Sequence, residues 1–402
     1  MLSKQELGRV LLIFFYVLLY LVIVVAIIES SKFLLFRSDF KSFLTGAAIL
    51  KNGLGESLYD MELQRTVQSE LLAVGGTIKL VLPYLYPPFV TAIYYPLTLV
   101  DAESAFRIYS VFYTAILFTL PFVINRILFK NKPRLFPFLV VVFPLSIHSL
   151  VLGQNSLLVL LIYVAILGSV LRLKYSWAGI LSGLLMIKPQ HLIFVPFVLI
   201  LLRMRDKKIS ARKLKTYCIY FSLVITAFLL FSFLVSGLGT FKYLNALNLA
   251  DTSYYAYTYH IGFTLRSFVA TQFTDLSFLA EFIINAVAYV ILLSLFYFRS
   301  RKISFGVGAS AAIIFTILTS VYTTELLLLF VPMIYLFEES KNRHLVRKTI
   351  LYILIVALFF VSIRLWFFPI PLHPSLLLAC SGVVLLFLDK VEDLILVFTS
   401  KD

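Results

Sequence analysis

Residues 10–28 read VLLIFFYVLLYLVIVVAII, nineteen consecutive positions without a charge. As an α-helix they extend about 28 Å, close to the ~30 Å hydrocarbon thickness of a bilayer. A helix that is apolar on every side offers no face to water, so lipid or protein must surround it. Polar residues follow at once: Glu29-Ser-Ser-Lys32, then Arg37-Ser-Asp-Phe40. No small-residue cleavage site separates the two stretches, which reads as a retained first spanning helix and not a removed signal peptide.

The rest of the 402-residue chain repeats the pattern. It is 61% hydrophobic and 14% charged, whereas a soluble domain is about half apolar and about a quarter charged. A globular core cannot hide that much apolar surface. The fold expected is therefore an all-α polytopic membrane protein; the alternating ten-residue segments of a membrane β-barrel are absent. Further spans are expected at 104–124, 135–151, 156–171, 176–188, 190–202, 216–238, 276–298, 303–319, 324–337, 349–367 and 374–389. With 10–28 they make twelve crossings. Segment 83–100 is a thirteenth candidate, but Pro87, Pro88 and Pro96 favour a re-entrant or surface course. The chain reads as one integral-membrane domain, 1–402, with a core over 10–340, a long outer loop over 29–103 and a C-terminal helix pair over 341–402.

The net charge of +15 is explained by cytoplasmic loops and does not call for nucleic acid. Basic residues collect at 125–134, 203–215, 299–302, 338–348 and at Arg172/Lys174. Placing all five inside puts the N-terminus in the cytoplasm and the loop 29–103 outside. The outer face then receives Gly153-Gln154-Asn155, Lys188-Pro189-Gln190-His191, the loop 239–275, Thr323-Thr324-Glu325 and 369–374. Most polar residues that need an explanation thus fall on one side. Cys218 and Cys380 lie in apolar runs and read as small core residues with no disulfide or metal role.

Asp39 admits two readings. It is an interfacial carboxylate that pairs with Arg37 or caps a following helix over 40–50, an amphipathic piece at the interface that ends near Gly53. It is also a carboxylate at the lipid–water boundary, able to take a proton from a hydroxyl. Tyr59, Tyr84 and Tyr86 suit an interfacial aromatic belt. Gln154 and Asn155 suit a tight turn, or amide hydrogen bonds to sugar hydroxyls. Lys188 can snorkel to the interface, or hold a phosphate as a point charge with Gln190 beside it. The loop 251–262 carries Tyr255, Tyr257 and His260, side chains that stack on and bond to sugars. Arg266 is a second phosphate candidate. Glu325, opening a span, costs about 2.5–3.5 kcal/mol at membrane depth and so needs a partner or a function. No His, Asp or Glu cluster has metal-ligand spacing, so neither a metal nor another cofactor is expected.

Several of these elements, in this order, resemble glycosyltransferase family 87 of the GT-C superfamily, the polyprenol-phosphate-mannose-dependent mannosyltransferase-like group. The elements are Asp39-Phe40 at the end of the first helix, the Gly46-Ala-Ala helix ending at Gly53, and Leu58-Tyr59-Asp60. Tyr86-Pro87-Pro88 follows, with Pro96 eight residues on, then Gly153-Gln-Asn-Ser156 and the Gly179–Lys188-Pro189 helix. The resemblance covers about 10–340. It implies a GT-C-like bundle with an outward site in the plasma membrane, a sugar donor on polyprenyl phosphate, and a lipid or glycan acceptor. It also implies an acidic base in the first outer loop, which maps to Asp39. The reaction expected is transfer of a hexose, mannose-like, with inversion. Ser320-Val321 stands where the family carries Ser-Pro, and Glu325 where it carries Asp, so the sugar is specified no further. The rival class is a transporter or flippase of lipid-linked sugar, which would need polar residues through the full membrane depth.

Overall fold

The computed structural model describes residues 4–72, 81–129, 135–243, 246, 265–272, 278–320, 323–341, 343–367 and 374–399. Their regular structure is all helical, with no strand among them. Two compact units are distinguished, one holding residues up to 123 with 140–157 and 231–246, the other holding 124–139, 158–230 and those beyond 246.

In the first unit, α1 (Lys4–Glu29) exposes Phe14, Phe15, Val17 and Leu21 on several sides, as a lipid-bathed helix should. A 74° bend at Ser30 starts α2 (Ser31–Arg37), which exposes Phe33 and Phe36. Next come α3 (Phe40–Lys51), α4 (Met61–Leu71), the seven-residue α5 (Pro88–Tyr94), α6 (Ala102–Leu128) as far as Val123, and α7 (Pro144–Val151). Helix α3 ends beside Gly53, as expected, but it is not an amphipathic surface helix. Phe40 and Ser42–Ile49 are all buried. Tyr84 and Tyr59 are likewise buried, so they form an interior cluster and not a belt. Asp60 takes the structural role its position suggests: its carboxylate caps α4 by accepting from the N–H groups of Glu62 and Leu63.

The second unit takes α8 (Ser156–Leu171) from Leu158 on, then α9 (Tyr175–Leu184), α10 (Val195–Arg205), α11 (Ala211–Ser236) as far as Leu230, and α12 (Leu265–Gln272). Helices α13 (Phe278–Arg299), α14 (Phe305–Ser320), α15 (Phe330–Ser340), α16 (Leu345–Phe367), α17 (Pro374–Leu386) and α18 (Leu388–Thr399) complete it. Its core is α14, whose Ala311, Ala312, Ile313 and Phe315 are fully buried. Gly179 and Gly183 bring α9 against α11: a Cβ at Gly179 would lie 2.4 Å from the Tyr217 carbonyl oxygen, and one at Gly183 2.7 Å from Val224. Small residues four apart permit that approach.

Among the described residues, Ala102–Leu128, Ala211–Ser236 and Phe282–Arg299 are long and apolar enough to cross a membrane. Two bent pairs bring the number to five. The chain is thus an all-α polytopic membrane protein, but these helices do not supply twelve full-length spans. The stretches Phe136–Val151, Ser156–Leu171, Tyr175–Ile187 and Phe305–Thr319 are short apolar helices. Sixteen helical residues reach about 24 Å, short of the ~30 Å core. Proline and tight 3₁₀ turns interrupt the others. Residues 136–141 and 189–194 are 3₁₀ segments before α7 and α10, and Thr323–Leu329 precedes α15. Segment 83–100 is α5 plus a 3₁₀ turn, Tyr95–Leu99, and not a straight span. Cys218 and Cys380 are exposed, which corrects their assignment to the core; on an apolar helix surface in lipid a thiol loses nothing.

The basic loops of the second unit meet at one end. Arg172 donates to the Arg126 carbonyl (2.9 Å), Arg205 to that of Leu171 (3.5 Å), and Arg203 to the Tyr297 hydroxyl (2.9 Å). Tyr335 of α15 packs against Phe129 and Phe305 at the same end. Loops read separately as basic therefore share one surface.

Candidate functional site

The first unit assembles its polar groups where α7 turns back onto the start of α3. Helix α7 ends in a Schellman turn: the Gln154 N–H donates to the Ser149 carbonyl (2.9 Å) and the Gly153 N–H to that of Leu150 (3.1 Å). Gly153 sits at φ +66, and a Cβ there would lie 2.6 Å from Phe40 Cβ. Only glycine serves both demands. The turn exposes the Leu152 carbonyl, which accepts from the Asp39 N–H at 2.7 Å. A backbone bond thus fixes the first residue of the α3 corner to a turn 113 positions further on.

The Asp39 side chain does not cap α3. The residue occupies the capping position with helical φ and ψ, and its carboxylate makes no capping hydrogen bond. Instead the Gln154 side-chain amide donates to Asp39 Oδ2. Asp39 remains partly accessible while its neighbours Ser38 and Phe40 are buried. Arg37 turns its guanidinium over the Phe33 ring, 4.3 Å from the centroid. Lys41 donates to the Phe36 carbonyl at 2.7 Å, covering the end of α2. Burial holds the Lys41 ammonium below the ordinary lysine range, and the charge of Asp39 opposes that shift.

Asn155 is 2% exposed, and its Oδ1 accepts from the hydroxyls of Tyr94 and Tyr113, the latter at 2.8 Å. Its carbonyl oxygen is therefore engaged by protein. Around it lies an aromatic cluster. Phe43 stacks on Tyr94 at 4.6 Å, Tyr109 on Tyr113 at 4.2 Å, and Phe40 contacts Phe106 and Tyr109. The Tyr86 hydroxyl lies 3.5 Å from Gln154 Oε1.

Two glutamines, unremarked in the sequence reading, hold the approach to this corner. Gln64 Oε1 accepts from the Tyr84 N–H (2.8 Å) and Gln68 Oε1 from that of Leu82 (3.0 Å). Gln64 Nε2 donates to the Leu58 carbonyl and Gln68 Nε2 to that of Leu82. Residues i and i+4 on a helix thereby serve alternate residues of an extended chain. That spacing was visible, since Gln64 and Gln68 share one face of α4. Tyr84 lies over Gly46, where a Cβ would approach its ring to 2.7 Å. The Tyr59 hydroxyl donates to the Tyr86 carbonyl (2.7 Å). Burial, with Tyr243 nearby, pushes the Tyr59 phenol well above its ordinary range and keeps it a donor.

In the second unit Lys188 lies between two 3₁₀ segments, with φ −131 and ψ 88. It is 3% exposed, which removes the snorkelling reading. Its carbonyl accepts from the His191 N–H (2.9 Å). His191 is fully buried and its Nδ1 is hydrogen-bonded to the Tyr163 hydroxyl at 3.0 Å, so the histidine lies inside the protein and not at an interface. Gln190 is half-buried. Arg266 is on α12 and Glu325 on the Thr323–Leu329 turn, but their side chains lie outside the described set, as do Tyr255, Tyr257 and His260 altogether.

Comparison with known proteins gives one family. The family model for glycosyltransferase family 87 matches residues 84–332. That range includes Gln154, Asn155, Lys188, Gln190, Arg266 and Glu325, and begins after Asp39. No curated protein and no solved structure matches the chain.

Proposed function

Because the chain belongs to glycosyltransferase family 87, we propose that this membrane glycosyltransferase moves a hexose from a polyprenyl-phosphate sugar to a hydroxyl of a lipid or glycan acceptor. Asp39 is the general base. It takes the acceptor proton as that oxygen attacks the anomeric carbon from the face opposite the phosphate. The bond from the anomeric carbon to the phosphate oxygen breaks, and polyprenyl phosphate leaves. A single displacement inverts the anomeric centre. Lys188, with Arg266, holds the phosphate and stabilises its growing charge. Gln190, Tyr255, Tyr257, His260 and Glu325 are the candidates for orienting sugar or acceptor. Gln154 takes a different role, holding the Asp39 carboxylate.

One observation carries this reading: the Asp39 carboxylate is turned away from capping its own helix and is held by an amide from a distant turn. A structural cap would show the reverse. The basic end of the second unit is assigned to the cytoplasm by its charge, with the N-terminus on that side and Asp39, after the first span, outside. The plasma membrane is the assigned location.

The test uses purified protein with a panel of polyprenyl-phosphate sugars and Asp39→Asn alongside. Transfer by the wild type and a loss of about 10²–10⁴-fold in the variant is expected. Near-wild-type transfer by a folded Asp39→Asn protein removes Asp39 as the base.

A further inference from the structure

The hairpin 203–215 of the second unit carries Arg203, Arg205, Lys207, Lys208, Arg212, Lys213 and Lys215 against one carboxylate, Asp206. A cytoplasmic charge bias explains the count but not the arrangement. Asp206 is used internally: Lys213 Nζ lies 2.8 Å from Oδ2 and the Tyr175 hydroxyl donates to the same oxygen at 2.6 Å. Arg203 and Arg205 are engaged with Tyr297 and with the Leu171 carbonyl. Backbone bonds from Asp206 to Leu202 and from Ile209 to Asp206 close the turn. Lys207, Lys208, Arg212 and Lys215 are left exposed, and their side chains make no hydrogen bond or ion pair with another described residue.

The helix that follows sets the depth of these cations. The apolar window of α11 is only 6% buried, and Ile219, Tyr220 and Leu223 are exposed. From Arg212 to Leu223 is about 16 Å along the axis. A helix bathed in lipid at Leu223 holds Arg212 and Lys215 at the level of phospholipid phosphates. We propose that this hairpin is a binding site for anionic phospholipid headgroups of the leaflet it faces. Four exposed cations on a turn closed by backbone bonds meet phosphate oxygens with little backbone ordering cost, and the hairpin's own carboxylate, Asp206, is already engaged. The hairpin contains none of the proposed sugar-transfer residues, and the proposal does not rest on them.

The test is native mass spectrometry of the full chain released from neutral detergent, after exposure to phosphatidylglycerol or to phosphatidylcholine. The wild type is expected to retain phosphatidylglycerol preferentially. The quadruple variant Lys207→Gln/Lys208→Gln/Arg212→Gln/Lys215→Gln is expected to retain it at least about tenfold more weakly, with an unchanged melting temperature, since all four side chains are exposed. Equal retention of both lipids, or an unaffected variant, overturns the proposal. Release of the lipid by an equal concentration of inorganic phosphate or of an oligonucleotide also overturns it, since the turn would then be a general anion surface.

Discussion

Asp39 and Lys188 are both single charges at helix boundaries, and the protein treats them in opposite ways. Asp39 is partly open and is positioned by groups remote in sequence, the Leu152 carbonyl and the Gln154 amide. Lys188 is closed off, 3% exposed, and its backbone bonds are to Leu185 and His191, each three residues away. A base must exchange a proton with an incoming acceptor, which requires access. A cation that meets a phosphate gains strength as water is excluded. The contrast follows the two roles proposed above.

Replacing Lys188 tests the closed half of the comparison and, after Asp39→Asn, carries the largest expected effect. Lys188→Met should lower transfer about 10²–10³-fold in a protein that still unfolds cooperatively. A lysine kept only for packing would lose stability and keep turnover, so both are measured on the same preparation. Gly153→Ala acts on the open half through geometry. The left-handed backbone costs about 1–3 kcal/mol for a residue with a side chain, before the contact with Phe40 is relieved. Thermal unfolding in detergent should show that loss, and transfer should fall with it.

Gln154→Leu is the finer cut. It removes the amide that holds Asp39 but leaves the turn, whose bonds are backbone. A fall in kcat of about tenfold with KM little changed is expected, since one lost hydrogen bond to a charged group is worth about 1.5–3 kcal/mol at most. A rise in KM with kcat intact would return Gln154 to direct sugar binding. The smallest effect is expected in the hairpin 203–215. The Lys213 and Tyr175 hydrogen bonds hold the Asp206 carboxyl below the usual carboxylate range. A depressed carboxylate contributes fully above the unfolded value near 3.9, and its contribution is lost only as pH falls through the lower folded value. Asp206→Asn should therefore lower the melting temperature slightly at pH 7 and equally at pH 5. A difference between those two pH values would count against this account of the hairpin.

Much of the membrane character was legible along the chain, because hydrophobic runs and basic loops are local properties. The end of α3 at Gly53 was legible for the same reason. The number of full-length spans was not, because apolar composition does not show where proline and 3₁₀ turns divide a run into short helices. The burial of α3, Tyr59 and Tyr84 was also hidden. Aromatic residues fit a membrane interface and an interior cluster equally well until their neighbours are known.

The sequence by itself determined that lipid would be the solvent, that the fold would be helical, and which charges would stand near the ends of helices. It also carried the ordered motifs that mark a glycosyltransferase. Tertiary structure alone decided what Asp39 does with its carboxylate. Capping is a contact of two or three residues and was a fair expectation from Asp-Phe at a helix start. The competing bond comes from Gln154, 115 positions away. It exists only because a glycine turn with positive φ packs against Phe40, a juxtaposition that no local pattern encodes.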